Sequence, residues 1–189
     1  MGNVAVRAGK LQDARRWFDK DLAVAQSLAA ADPSNTGWQR DLSESYDSLG
    51  EIAVRAGKLE DARRWYDKDL AVRKTLATAD PSNARWQRDL CYTLVKTAFV
   101  VRDPTVVTRY LDEARAIFGH LQRNGFFRGD EEFARLGTVI DRLSASGMPK
   151  PMFGALPEWW DQSVAAAATR AGLLNVASPL GPLVLRWAK

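Results

Sequence analysis

The sequence holds one cysteine, Cys91, and one histidine, His120, among 189 residues. A lone thiol excludes an internal disulfide framework and any cysteine-based zinc site, which need two to four thiols at set spacings. A lone imidazole removes paired-histidine metal sites and most acid–base triads. No apolar run approaches the roughly 18–20 residues of a membrane span. The opening MGNVAVRAGK lacks the apolar stretch of a secretion signal. These absences point to a cytoplasmic chain that does not engage a membrane. Excess charge of one sign is also missing: 27 basic and 23 acidic residues are interspersed, as in RRWFDKD, so the net +4 is not a basic arm. What remains is 46% apolar residues, ample for a buried core.

The dominant feature is internal repetition. The segment from Gly2 reappears from Gly50, and 31 of 48 positions over one period are identical. Convergence does not produce such a match, so the chain contains a duplicated structural unit. Within a unit, Trp38, Leu42, Tyr46, Leu49, Ala53 and Ala56 recur at three- and four-residue steps, which predicts an amphipathic helix A. Gly57 is its expected cap. Leu59, Ala62, Tyr66, Leu70 and Leu76 form the stripe of a second helix, B, with Glu60 and Asp61 at its N-terminus. Asp32-Pro33-Ser34-Asn35 and Asp80-Pro81-Ser82-Asn83 stop each helix B and offer Ser or Asn to cap the next helix A.

One hairpin cannot bury its apolar face alone. Stacked copies close the core, so the predicted fold is an all-α solenoid of antiparallel helical hairpins with a groove for a partner. The residues resemble the tetratricopeptide repeat: Leu49-Gly50, Gly57, Ala62, Tyr66 and Leu70 follow its core pattern, and Gly2, Gly9, Ala14, Phe18 and Leu22 repeat it. The resemblance covers roughly residues 1–125 and implies a protein-binding scaffold. The family's unit is near 34 residues, whereas this one is 48, with its prolines displaced to Pro33 and Pro81. Both helices are therefore expected to be longer by up to two turns, as in repeat arrays of large bacterial multidomain proteins.

The expected division is repeats over 1–125 (2–49, 50–97 and a degenerate 98–125), a covering helix within 126–146, and a linker plus tail helix over 147–189. The first copy's helix A is reduced to Asn3–Ala8. That leaves the next helix, Leu11 to about Ala31, with a partly uncovered apolar face, as a truncated array or a self-associating edge would have. In the third copy, Trp86–Val101 reads as helix A, Asp103-Pro104 replaces the Gly turn, and Val107–Asn124 reads as helix B. Asp130–Ser144 is the covering helix. Past Gly147, prolines mark a linker, and Trp160, Val164, Ala167, Ala171 and Leu174 stripe a helix. That tail suits docking on the solenoid first, then partner binding, then a membrane surface, since Arg170 is the one basic residue on the helix.

No catalytic pair emerges, and neither a cofactor nor a metal site is expected. Cys91 replaces Ser43 of the preceding copy and reads as a packed small side chain. Arg15-Arg16-Trp17 and Arg63-Arg64-Trp65 offer a charged, stacking ladder for nucleic acid. Asp19, Asp21, Asp67 and Asp69 lie within a turn and favour local ion pairs instead.

The resemblance to tetratricopeptide proteins implies a groove lined by helix A: Asn3, Val6 and Arg7, then Glu44, Asp47, Glu51 and Arg55, then Tyr92, Val95, Phe99 and Arg102. All seven positions change between 43–49 and 91–97. Divergent groove lining and packing against the covering helix account for this equally well. An acidic middle and an aromatic end suit a peptide or partner helix carrying basic and apolar residues. The expected function is thus a non-enzymatic protein-binding module. Homodimeric assembly through the uncovered first hairpin is the second reading, and nucleic-acid binding a weaker third.

Overall fold

A computed structural model describes residues 11–145, which form six helices in sequence order. They are α1 (Leu11–Ala31), α2 (Thr36–Arg55), α3 (Leu59–Ala79), α4 (Ala84–Val100), α5 (Pro104–Arg123) and α6 (Glu131–Ala145). Each packs on the next, giving an all-α, tetratricopeptide-like solenoid. The expected short first helix, with Asn3, Val6 and Arg7, and the expected linker and tail helix from Gly147 lie outside the described residues.

The joints explain the helix boundaries. Asn35 and Asn83, rather than the neighbouring serines, are the N-caps, and their Oδ1 atoms accept from the backbone N–H of Trp38 at 3.1 Å and of Trp86 at 3.2 Å. Ser34 and Ser82 bond back to Asp32 and Asp80 through both backbone N–H and hydroxyl, folding the turn that precedes each cap. At the end of α2, Gly57 adopts φ +72°. The N–H of Lys58 then reaches the Ala53 carbonyl at 2.8 Å and that of Gly57 the Val54 carbonyl at 2.9 Å, the paired bonds of a Schellman close. Asp103 caps α5 through Thr105 at 2.9 Å, with Pro104 at the first helical position.

The apolar stripes meet as the spacing requires. Ala14, Phe18 and Leu22 of α1 pack with Tyr46, Leu49 and Ile52 of α2, and Ala53 and Val54 with Leu59, Ala62 and Tyr66 of α3. A third and larger cluster joins α3 to α4, α5 and α6. Gly50 is what lets α2 and α3 approach so closely: a Cβ built there lies 2.6 Å from Tyr66 Cδ1 and 2.9 Å from Tyr66 Cζ. Burying each large side chain stabilises the fold by about 1.5–3 kcal/mol. The hairpins thereby present successive A helices, α2 and α4, side by side.

Candidate functional site

Between α2 and α4 lies a cleft of about 360 Å³, with Glu132 of α6 at one end and Arg73 of α3 at its floor. Four of the residues expected in the groove line it: Glu44, Asp47, Glu51 and Tyr92. Arg55 is half-buried and Arg102 exposed, and neither lines the cleft. Val95 and Phe99 correct the expectation. At 0% and 7% exposure they belong to the core shared by α4, α5 and α6. Their period-equivalents are Asp47 and Glu51, so the change from carboxylate to hydrocarbon marks where α4 packs into the core it shares with α5 and α6.

The cleft's acidic middle is also altered. Lys96 reaches in from α4, and its Nζ donates to Asp47 Oδ1 and Oδ2 at 2.7 and 2.8 Å and to Glu51 Oε1 at 2.8 Å. Burial opposes the charge on this lysine, but the two carboxylates outweigh it and hold the ammonium above the usual lysine range. The three groups together carry a single net negative charge. Beneath them Asp69 is fully buried, accepting from Arg73 Nε at 2.7 Å and from the Thr93 hydroxyl at 2.7 Å. Burial raises its carboxyl, and Arg73 opposes that rise. Arg73 also lies 3.6 Å from Asp89. Burial, then Glu132 and Asp130, raise the Tyr92 phenol, so it remains a hydrogen-bond donor at neutral pH.

Counting the lining side chains, Arg40, Arg73, Arg85, Arg88 and Lys96 face Glu44, Asp47, Glu51, Asp89 and Glu132. The cleft is balanced in charge, not acidic. Its aromatic end is Tyr92 and, beyond Arg88, a phenylalanine pocket of about 270 Å³ lined by Phe118, Phe126, Phe127 and Phe133. The Arg88 guanidinium stands 4.7 Å from the Phe127 ring centre and 3.8 Å from Asp130. Phe127 has φ 56°, a left-handed conformation costing about 1–3 kcal/mol for a bulky residue. Sequence periodicity missed this pocket because two of its four rings, Phe126 and Phe127, come from the turn between α5 and α6.

The Arg-Arg-Trp ladder is largely spoken for. Arg15 and Arg63 pair with Asp19 and Asp67 at 2.8 and 3.7 Å, and Arg16 and Arg64 with Asp13 and Asp61 at 3.8 and 3.4 Å. Asp69 serves the cleft instead, and Trp65 stacks on Tyr46 at 5.9 Å. Cys91 is buried against the Ala114 carbonyl, and burial pushes its thiol up to about 12, leaving it inert as a nucleophile.

These helices and their cleft define an α-helical repeat protein. Residues 42–80, the latter part of α2 together with α3, match the family model of the tetratricopeptide repeat. No curated protein and no solved structure gives a match.

Proposed function

We propose that this chain is a protein-binding module that holds a segment of its partner in the cleft between α2 and α4. The observation that carries the reading is where the two copies diverge. Among the seven changed positions of α4, Tyr92 lines the cleft half-buried, Thr93 and Lys96 line it as buried side chains, and Cys91, Leu94, Val95 and Thr97 are buried away from it. The last four change with the core, Thr93 and Lys96 set the hydrogen bonding and charge of the cleft through Asp69, Asp47 and Glu51, and Tyr92 adds a ring that a ligand can reach. The tetratricopeptide repeat is a protein-interaction unit and typically non-catalytic.

The lining favours a segment with charges of both signs that exchange with the rim pairs, and with one apolar side chain for the phenylalanine pocket beyond Arg88. Rim charges steer and select, whereas a buried apolar anchor supplies most of the affinity. Arg85 and Glu132 are exposed members of the lining and suit charge reversal without disturbing the core. The test is selection of peptides from a random displayed library on the wild-type chain, followed by binding to Arg85→Glu with Glu132→Lys. Loss of at least tenfold in affinity, with retention by the outer-face variant Arg64→Glu, supports the cleft. Equal binding by all three proteins, or no selected peptide, sinks it.

A further inference from the structure

The outer face of α1 carries apolar side chains that the repeat elsewhere covers. Trp17, Val24 and Leu28 are 43%, 61% and 37% exposed. They fall on one stripe, at steps of seven and four residues. One period later the same positions are Trp65, Val72 and Leu76 of α3, the first two partly buried and the third buried. Trp65 and Val72 pack against the cluster formed by α1 and α2, and Leu76 is only 5% exposed. Trp65 stacks on Tyr46 and has the Arg15 guanidinium 5.6 Å from its ring centre, whereas Trp17 has Lys20 of its own helix at 5.0 Å. The interior of the molecule thus shows what this stripe accepts: the side of another α-helix of the same repeat.

The two outermost described helices differ. On α6, Glu131, Glu132, Arg135, Thr138 and Asp141 are all exposed, so its open surface is polar. An apolar face meeting a polar face does not build a head-to-tail filament. An apolar face meeting its own copy builds a closed two-fold pair, in which the same patch serves both sides.

We propose that the α1 face binds the α1 face of a second copy of this chain. This goes beyond the cleft reading and does not rest on it. In an antiparallel crossing centred on Val24, Trp17 is set opposite Ala31, each seven residues away, and Leu28 opposite the alkyl stem of Lys20, each four residues away. The large ring of one copy then faces the small side chain of the other.

The test is the mass of the full chain by sedimentation across a wide concentration range. A dimer at twice the 21.0 kDa of the chain is expected. Val24→Asp and Leu28→Asp, both at exposed positions, should return it to 21.0 kDa with unchanged helicity by circular dichroism. Because Cys91 is buried, Val24→Cys places an accessible thiol on the axis, and mild oxidation should lock the dimer, whereas Thr138→Cys on the polar surface of α6 should not. A monomer at every concentration overturns the proposal. So does a dimer that both aspartates leave intact, or an assembly that keeps growing past two copies.

Discussion

Gly50 sits inside α2, where alanine is ordinarily favoured over glycine by about 1 kcal/mol. Propensity alone therefore says that Gly50→Ala stabilises. The packing says otherwise. The added methyl would lie 2.6 Å from Tyr66 Cδ1 and 2.9 Å from Cζ, and Tyr66 is only 4% exposed, so its ring cannot swing into solvent. Either α2 and α3 move apart or the ring leaves its rotamer, and overpacking of this kind costs about 1–3 kcal/mol, occasionally more. With the propensity gain subtracted, the net effect spans from near zero to about 2 kcal/mol of destabilisation for ordinary overpacking. The buried, unyielding ring places it at the upper end. Gly119 is the matched control on α5: its added methyl would meet the far end of the flexible Arg123 side chain at 3.1 Å, so Gly119→Ala should stabilise by up to about 1 kcal/mol. Urea unfolding of both variants reads the difference directly. Opposite signs support the argument, and a Gly50→Ala protein as stable as the wild type or more so would refute it.

Other substitutions probe other joints. Tyr66→Ala should cost about 3–5 kcal/mol in the same assay, as for other buried aromatics, and a cost below about 1 kcal/mol would contradict its place between α2 and α3. Asn83→Ala removes the acceptor for the Trp86 N–H and should cost about 1 kcal/mol, with Asn83→Ser largely rescuing it. Lys96→Ser restores the residue of the preceding copy and deletes three charge-assisted bonds, at an expected cost of about 1–3 kcal/mol. The folded-state pKa of Lys96 lies above its ordinary 10.5, so this contribution is fully present below 10.5 and is lost only as pH rises through the still higher folded value. The stability gap between wild type and Lys96→Ser should accordingly stay level across neutral pH, and a gap that closes between about pH 7 and 9 would speak against a charged Lys96.

The helices were legible because three- and four-residue apolar steps, proline stops and asparagine caps act locally, and the 48-residue identity exposed the unit. The groove was legible only where the lattice of repeats is regular. Glu44, Asp47 and Glu51 line the cleft on α2, but carrying the same positions forward to Val95 and Phe99 failed, since α5 and α6 enclose that side of α4 in a common core. Their hydrocarbon character was the signal against them. Lys96 was passed over because it lies one place beyond the period-equivalent of Asp47, yet a helix at that crossing brings its long side chain back to both carboxylates. The phenylalanine pocket depends on a left-handed Phe127 that no periodic pattern encodes.

The claim that the cleft is the binding surface is tested most directly by backbone amide resonances of the chain titrated with a library-selected peptide. The account predicts shifts concentrated in residues 40–51 of α2 and 85–96 of α4, extending to the Phe127 turn. Shifts confined to the outer faces of α1, α3 and α5, with the cleft amides unmoved, would contradict it.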